Sequence, residues 1–292
     1  MALSASRSTG ATVGALRVAG VVALAMATAA GPASAQGEIA RERAEFVHWL
    51  AAAPTSPLAT VAQQPIGRGV RLGPADADIP LAGVAAHVVA PRGGGIGLEG
   101  PGVSRLMPRG LPVPLRGYTL TVDGPAGREV LTVFGPRHAT KQPAYYPVSP
   151  GFAFVGTLLP PEHRGTVRLL GVDGIEVEAA EAGSVVVPLG GVRTRLRVRR
   201  LPSPGGEESE LEIFFRDETN GRTTYPAGRF VSLVPAPGGG YRLDFNRARN
   251  PFCAYSSAYA CPVPWQGNTI PAAVTAGERY HADSGGASEL AP

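Results

Sequence analysis

The chain has 292 residues, 44% of them hydrophobic, so it can bury a core despite carrying 39 glycines, 29 prolines and only 17% charged residues, and that balance excludes a disordered chain. The formal charge is +4, and every basic residue except Lys141 is arginine. Removing Arg7 and Arg17 with an N-terminal targeting segment leaves +2, a surplus too small to indicate nucleic acid.

Arg7 and Arg17 flank a short apolar run at 18–30 (VAGVVALAMATAA), and Ala33-Ser34-Ala35 forms a small-x-small site before Gln36. That is the pattern of a cleaved secretory signal over residues 1–35. The run is shorter than the roughly 20 residues that span a bilayer, and no cysteine near the site indicates a lipid anchor. The expectation is an exported protein, periplasmic or secreted, that does not span the membrane.

Residues 38–53 (EIARERAEFVHWLAAA) place Ile39, Phe46, Val47 and Leu50 at helical spacing, with acidic residues early and Pro54 as the stop. This helix is expected to pack on the body as a lid or brace. Beyond it, turn signals at Asp123-Gly124, Asp173-Gly174, Asn220-Gly221 and Gly238-Gly239-Gly240 separate the runs TLTV, EVLTVF, TVRLLGV, IEVEA, SVVVPL and RFVSLV. The rhythm predicts an all-β fold of antiparallel sheets, a sandwich or barrel-like body, with one N-terminal helix. A break at YYPVSPG divides it into regions 36–148 and 149–292.

One hairpin can be registered from residue types. Pairing 192–201 with 209–216 across a turn at 202–206 sets Val198 opposite Leu211, Leu196 opposite Ile213 and Thr194 opposite Phe215. The same register sets Arg199 opposite Glu210 and Arg197 opposite Glu212, so both faces agree. On this reading the stripe Arg193, Arg195, Arg197 and Arg199 is a solvated face with ion pairs and not a polyanion site.

The stretch 243–264 (LDFNRARNPFCAYSSAYACPVP) holds both cysteines and the densest cluster of polar and aromatic side chains. Strand alternation over 241–246 sends Asp244 and Asn246 to one face. Arg229, at the start of RFVSLV, is expected to approach them across the ladder, either leaving donors for an anionic group or forming a buried ion pair. Cys253 and Cys261 in an exported chain favour a disulfide. A zinc site needs two further ligands, and His48, His87, His138, His163 and His281 show no ligand spacing; no metal or other cofactor is expected. A Cys253 thiolate nucleophile would need a histidine or helix N-terminus beside it, and nothing local supplies one. Gly95-Ile96-Gly97-Leu98-Glu99-Gly100 fits GxGxxG but runs into Pro101 and Gly102, so it reads as a glycine loop and not a dinucleotide cradle. No GxSxG elbow, P-loop or calcium loop occurs.

The segments FFRDETNGRTTYPAGRFVSL and YRLDFNRARNPFCAYSSAYACPVP, followed by Asn268 and Ala276-Gly277-Glu278, resemble the bacterial family catalogued as domain of unknown function 1684. The specific part is DFN-x-A-x-NP-x-CAY followed by CP-x-P, and the likeness extends over most of the mature chain. It carries the family pattern onto Asp217, Tyr225, Gly228, Arg229, Asp244, Asn246, Asn250, Pro251, Cys253, Tyr255, Cys261, Pro262 and Glu278. Thr223 stands where the pattern has Glu before Thr-Tyr, and Trp265-Gln266-Gly267-Asn268 stands where a Pro-rich Glu-Asn segment follows the second cysteine. The resemblance implies no activity.

The residues therefore point to an exported all-β binding or accessory module. Its pocket would be formed by Arg229, Asp244, Asn246, Arg247, Asn250 and Tyr255 beneath the 253–261 loop, for a small polar or anionic ligand. The alternatives are an envelope-associated hydrolase using Cys253 or an Asp/Arg pair in the same cleft, and a structural partner in an envelope complex.

Overall fold

The computed structural model describes residues 32–162, 164–202 and 209–280. The charged flank and apolar run of the expected signal, His163, His281 and most of the 202–206 turn lie outside them. Helix α1 (Pro32–Ala52) begins earlier than the apolar spacing indicates, so Ala33-Ser34-Ala35 falls in its first turn. Among the described residues no helix is long and apolar enough to cross a membrane.

The first β body holds β1 (Thr60–Pro65), β2 (Val70–Gly73), β3 (Ile79–Pro80), β4 (His87–Arg92), β5 (Gly95–Gly100), β6 (Val103–Met107), β7 (Val113–Leu115), β8 (Tyr118–Asp123) and β9 (Val130–Phe134). One sheet runs β1-β9-β8-β7 and the other β3-β2-β4-β5-β6, antiparallel apart from a two-residue parallel pairing of β2 with β3. Leu72, Val89 and Leu98 from one sheet and Leu120, Leu131 and Val133 from the other share a single core, each contributing about 1.5–3 kcal/mol on burial. The glycine-rich run at 95–100 is strand β5 and not a loop. A Cβ on Gly100 would lie 2.3 Å from the His87 ring, so sheet packing, not phosphate binding, requires that glycine.

The second body holds β10 (Ala144–Tyr145), β11 (Ala153–Gly156), β12 (Thr166–Leu170), β13 (Glu176–Leu189), β14 (Val192–Pro202), β15 (Ser209–Phe215), β16 (Arg229–Pro235), β17 (Tyr241–Asp244) and β18 (Glu278–Arg279). Seven of these form one antiparallel sheet in the order β11-β17-β16-β15-β14-β13-β12, and β10 pairs with β18 beside it. IEVEA and SVVVPL belong to the single strand β13, bulged between Glu181 and Gly183. Leu196, Val198, Ile213, Val231 and Leu243 pack under Ile270, Val274 and Ala276. On the other face Phe214 and Phe230 stack with ring centroids 4.3 Å apart beside Trp265. Among the described residues the fold is mostly β with one α-helix, built from several antiparallel sheets and not a closed barrel.

The β14–β15 register is slid by two residues from the expected one: Arg199 lies opposite Glu212 and Leu201 opposite Glu210. A slide of two keeps every side chain on its face, which is why the apolar pattern alone did not distinguish the two. The ladder stops at Arg199–Glu212 because Asn268 enters the gap beyond it. Its Nδ2 donates to the carbonyls of Arg197 (3.0 Å) and Phe214 (3.1 Å), and its Oδ1 accepts from the Arg197 amide at 2.8 Å. Glu212 pairs with Arg249 at 2.9 Å, and Arg199, opposite it in the ladder, lies over the Trp265 ring.

Helix α1 and the 252–261 loop join the two bodies. Phe46 and Trp49 meet Tyr255 and Phe252, and Leu50 is buried with Ala254 and Tyr255. The Phe252 amide donates to the Val172 carbonyl at 2.8 Å, while the Tyr259 hydroxyl meets Thr60 of β1 at 2.6 Å.

Candidate functional site

Arg229 begins β16 opposite Phe215 and is completely buried. It does not approach Asp244 or Asn246. Its Nη2 pairs with Asp217 at 2.9 Å and donates to the Val274 carbonyl at 2.9 Å, while Nη1 donates to the carbonyls of Ala276 (2.5 Å) and Glu278 (3.2 Å). Asp217 in turn accepts from the Thr219 amide and hydroxyl and the Val274 amide. Burial lowers the Arg229 pKa, opposed mainly by Asp217. This is the buried ion pair, with Asp217 as the partner, and the two side chains are sealed from any ligand.

Asp244 ends β17 and caps the turn after it, accepting from the Asn246 amide at 3.0 Å. Asn246 is bonded both ways to the Ser149 backbone, at 2.9 and 2.8 Å. Arg247 pairs with Asp244 at 2.5 Å and with Glu42 and Glu38 of α1 at 2.8 and 3.1 Å. Burial disfavours its charge, but these acids prevail and raise its pKa. Arg43 of the same helix donates to the Tyr146 and Asn246 carbonyls. This cluster therefore clamps the helix to the body.

Asn250 and Tyr255 form a third group around Glu278 of β18. Glu278 accepts from the Asn250 amide and Nδ2, both at 2.8 Å, and from the Tyr255 hydroxyl. Burial raises the pKa of Glu278 and, with the adjacent Glu278, takes that of Tyr255 well above the usual value. These residues line a cavity of about 170 Å³ beside Lys141 and Tyr280. Cys253 and Cys261 are joined in a disulfide with Cα atoms 5.6 Å apart, and the Tyr225 hydroxyl lies 3.4 and 3.3 Å from their sulfurs. No thiolate is present for nucleophilic chemistry. Thr223, in the position of the family's Glu, meets the Tyr146 hydroxyl at 2.5 Å. The six candidate residues thus fall in three hydrogen-bonded groups, two of which meet at Glu278, and they do not line one pocket.

A larger cavity lies elsewhere, a cleft of about 680 Å³ where the two bodies meet. Arg109 and the Asp123–Gly124–Pro125 turn contribute from the first body, and residues 171–178, Leu201, Pro202, Glu210, Glu212, Phe230 and Arg249 from the second. Val172, Ile175, Val177, Leu201 and Phe230 give it an apolar wall. Burial pushes Asp173 up to about 6, partly opposed by the Ile175 amide on its Oδ1 at 3.1 Å. Glu212 is also raised by burial, against Arg249 and Ser232, which both donate to its Oε1. The sequence pointed away from this site: Asp173 read as a turn residue and Glu212 as a cross-strand partner. Arg249 drew no notice inside RARNP, and only the long-range pairing of β15 with β16 and the return of 249 to Phe230 brings it to Glu212. Among the described residues no group of three or more His, Cys, Asp or Glu is placed to hold a metal ion.

No curated protein matches the chain. The solution NMR structure of an uncharacterised protein of Haloarcula marismortui is 33% identical, the match covering 48% of this chain and 77% of that one, with a TM-score of 0.41. Residues 141–279 match the family described as protein of unknown function (DUF1684), a narrower span than most of the mature chain. The match takes in all three polar networks apart from their contacts with α1, and the chain belongs to the DUF1684 family.

Proposed function

We propose that the protein is an exported binding module that takes a small ligand with an apolar body in the cleft between its two β bodies. The observation that carries this reading is the cleft itself. Its 680 Å³ lies within the roughly 300–1,000 Å³ of small-molecule sites, and it combines an apolar wall with a few buried polar groups at a junction between bodies. The expected anionic ligand depended on spare donors at Arg229, and that guanidinium is consumed in the core. The disulfide supports export, because such bonds persist in oxidising compartments.

Native mass spectrometry of the protein recovered from the exported fraction tests both parts. A chain beginning at Gln36, with a small-molecule adduct that a bulky Val177→Trp substitution removes, is the expected result. Recovery only from the cytoplasm sinks the export reading. An adduct that survives Val177→Trp, or none in any preparation, counts against the cleft.

A further inference from the structure

The Cys253–Cys261 disulfide does not line the cleft, and three features distinguish it from a sealed staple. The first is access. Cys261 is exposed and Cys253 half-buried, while Val263 beside them is 78% exposed. An external sulfur nucleophile can therefore reach Cys261 Sγ in the folded protein.

The second feature is a donor placed on the sulfurs. The Tyr225 hydroxyl lies 3.4 Å from Cys253 Sγ and 3.3 Å from Cys261 Sγ, and 3.2 Å from the Cys253 carbonyl. Burial, with a smaller contribution from Tyr280, raises its pKa above the usual 10, so the phenol keeps its proton at neutral pH. A disulfide sulfur is a weak acceptor and a thiolate a charged one, so this hydrogen bond strengthens as the S–S bond breaks.

The third feature is a loop held by more than the disulfide. Ala254 and Tyr255 are buried next to Cys253, with Tyr255 bonded to Glu278, and Pro262 is buried next to Cys261. The Phe252 amide on the Val172 carbonyl and the Tyr259 hydroxyl on Thr60 fix the intervening chain. These anchors keep the two sulfurs near each other after reduction, as a reversible couple requires.

We propose that this disulfide is a thiol–disulfide exchange site that takes an external dithiol at Cys261, with Tyr225 donating to the Cys253 sulfur as it leaves. One thiolate of the dithiol attacks Cys261 Sγ, and the electron pair of the S–S bond departs on Cys253 Sγ, which is then protonated from solvent. The second thiolate attacks the dithiol's own sulfur in the mixed disulfide and releases Cys261, protonated in turn. Two electrons and two protons pass to the protein, and the dithiol is oxidised to its disulfide.

Dithiothreitol is the probe, applied to the intact protein without denaturant, with iodoacetamide quenching and mass measurement at intervals. The expected rate rises in proportion to dithiothreitol concentration, and Tyr225→Phe lowers it about tenfold. A loosened fold would speed reduction, so a slower variant cannot be explained by lost stability. On the unaltered protein, glutathione followed by iodoacetamide is expected to place glutathione on Cys261 and the alkyl group on Cys253, a readout that stands even if Tyr225→Phe folds poorly. A reduction rate that levels off with dithiothreitol, limited by unfolding, overturns the exchange site, as does glutathione found on Cys253. An unchanged rate in a folded Tyr225→Phe overturns the role of Tyr225.

Discussion

Asp173 offers the sharpest measurement of the cleft's buried charge. Its carboxyl sits in the β12–β13 turn, pushed from the ordinary 3.8 up to about 6 chiefly by burial, with a smaller repulsion from Asp123. A carboxyl whose pKa is raised on folding binds more protons in the native state than in the unfolded one between those two values. Its contribution is therefore most favourable below pH 4 and is lost as the pH rises through 6. The displacement corresponds to about 3 kcal/mol. Asp173→Asn removes the ionisation and keeps an oxygen to accept from the Ile175 amide, and Gln63 bonds only the backbone carbonyl of residue 173. Urea denaturation of both proteins at half-unit steps from pH 4 to 8 gives the difference directly. Glu212 and Glu278, whose pKa values burial also raises, titrate in both proteins and largely cancel. The variant should match the parent near pH 4 and exceed it by about 2–3 kcal/mol at pH 7. Parallel stability curves across the range would refute the claim that this carboxyl is displaced.

Three further outcomes are expected. Replacing both Cys253 and Cys261 by serine opens a loop with a sequence separation of 8. It should lower stability by roughly 2–3 kcal/mol, read as a drop in the urea midpoint at unchanged slope. Gly277 and Gly221 have nearly the same backbone angle, φ +75° and +76°, but a Cβ on Gly277 would lie 2.6 Å from the carbonyl oxygens of Ala248 and Phe245, while nothing is within 4 Å at Gly221. Gly221→Ala should cost about 1–2 kcal/mol, the left-handed term alone, and Gly277→Ala distinctly more; equal losses in thermal melts would show that crowding is absent. Arg229→Met strands Asp217 and should destabilise by about 3–5 kcal/mol, and adding Asp217→Asn should recover part of that; a double variant as weak as the sum of the singles would show that the two side chains do not act as a pair.

The elements legible in the chain were those whose information is local. Period-two alternation marked β8, β9, β13 and β16, and the turns at Gly124, Gly174 and Gly221 have the positive φ their Asp-Gly and Asn-Gly pairs indicate. The hairpin register was only half legible, because a slide of two residues leaves the faces of β14 and β15 unchanged. What fixed it, the Asn268 amide between Arg197 and Phe214, lies far along the chain. The polar motif was visible as a concentration of chemistry, but its partners were not. Glu42 and Arg43 come from α1, and Ala276 and Glu278 come from the C-terminal segment, at separations that no spacing rule reaches. The cleft escaped for the same reason, since its walls are two bodies that meet only in the folded protein.

The three networks share a physical task. From residue 245 onward the described chain has little regular structure, only short 3-10 turns and the two-residue β18, so most of its buried backbone groups have no ladder to join. Side chains take the ladder's place. Arg229 serves the carbonyls of Val274, Ala276 and Glu278, Asp217 the Val274 amide, Glu278 the Asn250 amide, Asn250 the Arg279 carbonyl, Asn246 both backbone groups of Ser149, and Asn268 those of Arg197 and Phe214. A chain rich in glycine and proline can fold its last quarter this way only if each polar side chain is placed, because a buried amide or carbonyl left unmatched costs about 1–3 kcal/mol. The residues that identify the family are on this account the ones that hold an irregular segment in place. On the proposed reading, ligand choice rests with a cleft whose first-body wall, Arg109 and the Asp123–Pro125 turn, lies outside the span that matches the family. Substitutions there, such as Arg109→Ala, should alter binding and leave the unfolding free energy within about 0.5 kcal/mol of the parent. Substitutions in the motif should lower stability first and affect binding only through it.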